Sequence, residues 1–453
     1  MLRTIAAVSA AASLASMAGA QVSSLPGVPA IDAQIPSSLF SLSRALQVGN
    51  VAPASSPDGV ATGTALGSEV ADGATELPSV GAANAGVAAA TAARSVAGLR
   101  PNPEVQAQVE NVAGTGAYRG LRSSETTVGV ALPLELGGKR SARVALADAR
   151  LTRARIQAEI ARADLRLRIT QLYVAAAAAE RRSEVLREQA AIAGNALRIA
   201  SERVKVGDVG PIEQQRAEVL RVNAQIAADN AARQEQAARL SLSTILGQPV
   251  DGPLDRAWFD RIDDVGPLRS FSVDETLTLA AALADIWTAG AQVRVARSLR
   301  VPDVTVSAGA RRLSATNDTA AVFGVAIPIP LFNNGGALIA QSRAEQTQAI
   351  ALRSLAVVEA RQAIANAQAE VANAGATARA AGGPALSAAQ EAARIARVGY
   401  SAGKFDQIAL LDAERTLSQT RQTYIDALAA YHDAQARLDR LTTPAPHIPG
   451  DNR

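Results

Sequence analysis

The chain has 453 residues, 48% hydrophobic but only 3% aromatic, enough to fold yet too few rings for a globular core built around large side chains. Its formal charge is +3 with acids and bases interleaved, so it carries no footprint for nucleic acid. Cysteine is absent, which excludes disulfides and a lipidated N-terminal cysteine. No segment beyond the N-terminus has about twenty uninterrupted apolar residues, so a membrane crossing would fall to strands.

Residues 1–20 read as a secretory signal. Arg3 gives a positive start, Ile5 to Met17 is apolar, and Ala18-Gly19-Ala20 is an A-x-A cleavage site before Gln21. Residues 21–81, rich in Ala, Gly, Ser and Pro, read as a low-complexity extension with one short helix at Ser41 to Val48. A helix is predicted over Ala82 to Leu99, stopped by Pro101 and Pro103.

From Glu104 the period changes to two. Val105, Ala107 and Val109 alternate with Glu104, Gln106, Gln108 and Glu110. After a turn over Gly114 to Ser123, Val128, Val130, Leu132 and Leu134 share one face of a second strand, with Thr127, Gly129 and Ala131 on the other. The glycines of that turn give GxGxxxG, not the dinucleotide spacing. A second pair follows far downstream. There Val304, Val306 and Ala308 alternate with Asp303, Thr305, Ser307 and Gly309, and Ala321, Phe323, Val325, Ile327 and Ile329 form an outward set. Apolar rows backed by small or polar residues match a lipid-facing barrel, against the alternative of a half-buried sheet in a soluble domain. Four strands cannot close, and open edges cannot face lipid. Three chains sharing twelve strands are therefore expected, with cyclic symmetry.

After each strand pair the period becomes helical. Lys139 to Val206 contains no Pro and could reach roughly 100 Å at 1.5 Å per residue. A turn over Val206 to Pro211 leads to a returning helix from Ile212 to Leu246. Asp251 to Ser270 connects to a helix over Ser272 to Arg300. In the second half the helices run from Ala337 to Val398, broken midway at Gly382-Gly383-Pro384, and from Phe405 to Leu441. Mixed charges such as Glu184 and Glu188 beside Arg181, Arg182 and Arg187 read as solvated surface. Gly129-Val130-Ala131-Leu132-Pro133 recurs as Gly324-Val325-Ala326-Ile327-Pro328, and Leu197-Arg198-Ile199-Ala200 recurs as Ala393-Arg394-Ile395-Ala396, about 195 residues on. The chain thus reads as a tandem strand-strand-helix-helix duplication, with repeats over 82–262 and 272–441 and a flexible tail over 442–453.

Pro101-Asn102-Pro103-Glu104-Val105, VGVALPLELGGKRSAR from Val128, its counterpart VAIPIPLFNNGG from Val325, Arg300-Val301-Pro302-Asp303-Val304, and Gly399-Tyr400-Ser401-Ala402-Gly403 followed by Leu411-Asp412-Ala413 together resemble the TolC-like outer-membrane efflux channels. More narrowly, the chain is similar to the CzcC-type heavy-metal efflux branch. The resemblance implies an α+β fold: a trimer sharing a twelve-stranded outer-membrane β-barrel that continues into a periplasmic tunnel of antiparallel helices. It implies docking on a periplasmic adaptor and an inner-membrane proton-driven pump, with passive conduction, no catalysis and no cofactor. By position, Gly207 and Gly403 are tip glycines, Tyr400 matches a tip tyrosine and Asp412 a ring aspartate. Glu213, Asp208 and Asp406 are further lumen candidates, and Lys205 and Lys404 flank the tip where an adaptor would dock. The alternative for each acid is a solvated helix start, since Asp and Glu favour helix N-termini. Channels for organic compounds or for protein secretion, a periplasmic adaptor, and a coiled-coil structural protein remain as other readings. His432 and His447 are the only histidines, and His432 reads as a packing or surface residue rather than a ligand.

Overall fold

The computed structural model describes residues 77–263 and 272–446. The signal, the helix at 41–48, His447 and residues 447–453 lie outside them. Helix α1 (Pro78–Ala97) starts four residues before the predicted Ala82, because proline suits a first helical position whose N–H would have no partner anyway. It leads into β1 (Glu104–Glu110) and β2 (Glu125–Leu134). The chain then leaves through α2 (Lys139–Lys205) and returns through α3 (Pro211–Leu246). A short α4 (Arg256–Asp260) and α5 (Leu277–Ser298) lead to β3 (Val304–Leu313) and β4 (Asp318–Ala326). The second excursion is α6 (Gly336–Ala380), a π segment (Ala381–Ala385), α7 (Leu386–Ser401) and α8 (Gln407–Thr442).

The four strands form one antiparallel sheet in the order β1-β2-β3-β4, so β1 and β4 are its edges. Register carries the predicted alternation across the whole sheet. Val105 faces Val130, Val130 faces Ala308, and Ala308 faces Phe323, one apolar row whose large members are exposed. The opposite face carries Gln106, Gly129, Gly309 and Val322, with Gln108, Thr127 and Arg311 one step along. Arg311 there bonds Glu125 at 2.9 Å and Glu110 at 3.2 Å. Strand β4 is shorter than expected. Ile327 and Ile329 lie beyond its end, because Pro328 and Pro330 have no N–H for a ladder.

Each strand pair turns into helix at a glycine corner. Gly137 and Gly138 both take positive φ, 70° and 71°, and a Cβ on Gly137 would stand 2.5 Å from Val301 Cβ. Charged side chains clamp the first corner. Glu135 pairs with Arg143, and Asp303 accepts from Lys139 Nζ at 2.7 Å and from the Leu136 amide at 3.0 Å. The Arg143 bond holds the Glu135 carboxyl below its usual range. At Asp303 burial pushes upward, but the Lys139 and Leu136 bonds outweigh it and the net shift is downward. Both depressed carboxyls stabilise the corner above their ordinary range, and that contribution is lost as pH falls through their lowered folded values.

The 67-residue α2 buries mainly alanines, among them Ala158, Ala163, Ala176 to Ala179, Ala193 and Ala200. Small side chains let long helices pack closely along their length. The predicted break in the second outgoing helix is instead a π segment through which helical geometry continues from α6 to α7. The cause is steric: a Cβ on Gly382 would collide with the Tyr424 ring, and one on Gly375 would press the Tyr431 ring at 3.4 Å. Two tyrosines seven residues apart on α8 thus seat on two glycines seven residues apart.

The charges read as solvated surface tie helices together. Arg182 pairs with Asp426, Arg181 with Asp260, Arg187 with Glu235, Glu184 with Arg256, and Glu188 with Arg421. The segment joining the repeats is also a structural part. Asp255 caps α4 by accepting from Trp258 N, and Phe259, 1% exposed, enters a core with Val174, Ala178, Ile425 and Leu428. The start of the predicted flexible tail is likewise held: Leu277 N donates to Thr443 O and Ala445 N to Glu275 O.

Around α4 the scarce rings gather. Trp258 stacks on His432 at 4.4 Å, Tyr173 meets Trp258 edge-on at 5.1 Å, and His432 Nε2 donates to Phe259 O at 2.9 Å. His432 is a packing residue. Burial lowers its pKa from 6.5 although the Phe259 carbonyl opposes this, so the unfolded chain takes up a proton that the folded one resists. His432 therefore leaves stability intact above about pH 6.5 and erodes it as pH falls below that value towards the lower folded one. His432→Gln, which keeps a donor for Phe259 O, should flatten the decline in melting temperature as pH falls below about 6.5. Parallel melting curves for the two proteins would refute the assignment.

Candidate gate at the hairpin tips

The two helical hairpins end in the same local structure. Gly207 N donates to Val204 O and Asp208 N to Arg203 O. Gly403 N donates to Tyr400 O and Lys404 N to Gly399 O. Both glycines have positive φ, 76° and 70°, so each tip is a Schellman turn that satisfies the last helical carbonyls. Valine or alanine at either glycine would strain the turn even though the space beside it is open. Lys205 and Lys404 flank the turns and are exposed.

The candidate acids divide into two groups. Asp406 is the N-cap of α8, accepting from Ala409 N at 2.9 Å, and Asp208 bonds Arg203 Nε at 2.6 Å. Both carboxylates thus make bonds within their own tips, Asp208 to a side chain and Asp406 to a backbone amide. Asp412 is exposed on α8, and Glu213 lies half-buried in the first turn of α3. Neither Asp412 nor Glu213 has an ion pair among the described residues. Nine residues past the first tip glycine, where the second hairpin has Asp412, stands Arg216.

Tyr400 is not a projecting ring. It is 5% exposed, packed with Ala396 and Leu410 against Ile199 and Ala413. The Arg203 guanidinium lies over it, 5.6 Å from the ring centroid. The bond to Asp208 raises the Arg203 pKa further, and through the Tyr400 ring this cation joins its own turn to the neighbouring hairpin. Tyr400 thus packs one hairpin against the other.

Sequence reading missed three supports of this site. Phe405 lies where a Cβ on Gly399 would be, so that glycine is a seat for a ring. Glu414, 2% exposed, is held by both Arg397 Nε and Nη2 across α7 and α8. Farther up, Arg421 bonds Glu188 at 2.6 Å and joins α8 to α2. Glu414 did leave a trace, an acid at helical spacing between Leu410 and Leu417 on an otherwise apolar face. Among the described residues no group of three or more His, Cys, Asp and Glu side chains could hold a metal ion, and no helix is long and apolar enough to cross a membrane.

The family model described as "outer membrane efflux protein" matches residues 74–248 and 272–443, most of the chain and both repeats. The chain belongs to that family. It is 30% identical over 351 residues to the cobalt-zinc-cadmium resistance protein CzcC of Cupriavidus metallidurans, covering 75% of this chain and 81% of that one. With the nickel and cobalt resistance protein CnrC of the same organism it shares 33% over 270 residues, 59% of this chain and 64% of that one. Among solved structures, the outer membrane protein VceC of Vibrio cholerae superposes with a TM-score of 0.67 at 19% identity, covering 83% of this chain and 96% of that one. As a family member this protein is an outer-membrane efflux channel, its long helices extending into the periplasm. The family is one of efflux proteins, and these relatives are metal-resistance proteins.

Proposed function

We propose that three copies of this chain close one twelve-stranded barrel and one helical tunnel, forming the exit duct of a tripartite system that expels heavy-metal cations. The observation that carries it is the sheet: four strands with an exposed apolar row and two unpaired edges, β1 and β4. Unpaired backbone groups in hydrocarbon cost several kcal/mol each, and edge pairing between copies removes every one of them. The exposed Ile327, Ile329, Leu331 and Phe332 beyond β4 give such an edge an apolar surface for a neighbouring copy.

The metal cargo rests on the likeness to the cobalt-zinc-cadmium and nickel-cobalt resistance proteins. Among the described residues no side-chain cluster could select one metal over another, so discrimination is assigned to a proton-driven pump in the inner membrane. Energy comes from that pump. A periplasmic adaptor would bind the tips, where Lys205 and Lys404 flank the glycine turns, and would open the passage by moving one hairpin against the other. The links to be shifted are Arg203 with Tyr400 and Arg421 with Glu188.

At the tip, Asp412 repeated around a threefold axis attracts cations, and Arg216 counters it from the first hairpin. Asp412→Ala should reduce cation preference and weaken divalent-cation block in planar bilayers, whereas Arg216→Ala should strengthen both. Identical reversal potentials and block in all three proteins would remove these residues from the narrow passage. Light scattering that finds a monomer in mild detergent would defeat the trimeric duct itself. Cargo is read separately, from the metal sensitivity of a deletion strain.

A further inference from the structure

We infer that an open cleft between the start of α2 and the end of α5 holds the phosphate of an anionic glycerophospholipid from the periplasm-facing leaflet of the outer membrane. The cleft, about 480 Å³, is lined by Gly137, Gly138, Ser141, Ala142, Arg294 and Arg297. Arg294 and Arg297 stand one helical turn apart, both exposed, and neither has a bonding partner among the described residues. That sets them apart from Arg153 and Arg143 nearby, which are bonded to Asp285 and Glu135. The acids of the corner, Glu135 and Asp303, are already matched by Arg143 and Lys139. Two uncompensated guanidiniums therefore share one concavity.

Chain connectivity sets its depth. Gly137 lies three residues past the last residue of β2, and α5 ends six residues before β3 begins, so the cleft sits where the strands leave the bilayer. Its side follows from the strand alternation. Glu135 and Asp303 continue the wet face, and Lys139 and Arg143 meet them from one side of α2. Ser141 and Ala145 lie roughly half a helical turn round from that side, so the cleft opens towards lipid. Leu134, Leu136, Leu299 and Val301 are exposed around the same corner, 41%, 42%, 51% and 40%.

Apolar side chains at the bilayer border with paired guanidiniums just below them match a lipid, whose glycerol and acyl chains continue from its phosphate. Inorganic phosphate would leave the apolar residues without an occupant. Guanidinium forks suit phosphate oxygens, and the positive end of the 67-residue α2 dipole points the same way. The inference rests on the strands lying in the bilayer and is independent of the cargo.

Native mass spectrometry of the full protein in mild detergent tests it, with phosphatidylglycerol, phosphatidylethanolamine of the same acyl chains, and inorganic phosphate as probes. Arg294→Gln with Arg297→Gln should lower retained phosphatidylglycerol about thirtyfold, the scale expected for two surface cations lost beside an anionic headgroup. Arg312→Gln at the far end of β3 should leave it unchanged, and millimolar phosphate should not displace the lipid. Equal retention by the double variant, equal preference for both lipids, or displacement by free phosphate would each overturn the inference. Should the double variant yield no folded protein, Arg297→Gln alone, a surface change, is read by the same criteria. Failure of the wild type to retain phosphatidylglycerol would overturn it as well, whereas the strands' place in the bilayer is read separately, by membrane fractionation.

Discussion

Arg397→Ala should destabilise the second hairpin by about 3 kcal/mol, because it strips the charged partner from a carboxylate that stays in the helix interface. Glu414 is 2% exposed and receives two bonds from one guanidinium. Arg397 itself is nearly half exposed, which places the loss at the lower end of the range for broken buried pairs. The two partners are not equivalent. Removing Glu414 frees an arginine that can turn to water, whereas removing Arg397 leaves a carboxylate among Ala393, Ala396, Leu410 and Leu417. Arg397→Ala should therefore melt at a lower temperature than Glu414→Gln, and the pair Arg397→Met with Glu414→Leu should recover most of the loss. Thermal melting followed by circular dichroism ranks the three, and hydrogen exchange should localise the loosening to α7 and the first half of α8. Equal melting of Arg397→Ala and wild type would mean the contact contributes nothing. Asp412 lies two residues before Glu414, so the same variant should also broaden the distribution of open-channel conductance. A clamp that fixes the rotation of α8 fixes where Asp412 points.

The repeated architecture was legible because it depends on period and order. The shift from two-residue to helical spacing after Leu134, the Gly137-Gly138 corner and the tip glycines Gly207 and Gly403 all carry their conformational reason in the residue type. What one sequence conceals is register between helices separated by hundreds of residues. Arg182 with Asp426 and Arg421 with Glu188 each look like ordinary surface charge on their own helix. The same blindness affected the site. Asp406 reads equally as a lumen charge or a cap, and the bond from Ala409 N shows that it caps α8. That Tyr400 packs with Ala396 and Leu410 is likewise invisible in the sequence. At Gly382-Gly383-Pro384 the three strongest helix-breaking signals in a row were absorbed by a π segment, since the Tyr424 ring needs the space that Gly382 leaves.

Gly309→Val should abolish assembly of the barrel. Gly309 sits opposite Gly129 where β2 meets β3, the seam between the two repeats. A Cβ on Gly309 would stand 2.5 Å from Val128 O and 2.8 Å from Gly129 Cα, and one on Gly129 would stand 2.9 Å from Ala308 O. The obstructing atoms are backbone, so no side-chain rotation relieves the clash and the strands themselves must part. Overpacking of this kind costs about 1–3 kcal/mol per site, and a closed threefold barrel meets it at three seams that cannot relax independently. Ala308→Val is the matched control. It places the same valine side chain one residue away, on the exposed apolar row beside Val130 and Phe323, and should assemble normally. The expected result is trimer in the outer-membrane fraction for Ala308→Val and almost none for Gly309→Val, measured by fractionation and light scattering. Normal trimer yield from Gly309→Val would show that the seam tolerates a side chain. The contrast isolates the face, because both substitutions add the same valine to the same strand. Only the one on the wet side meets another strand's backbone, and there the close approach of β2 and β3 leaves room for hydrogen alone.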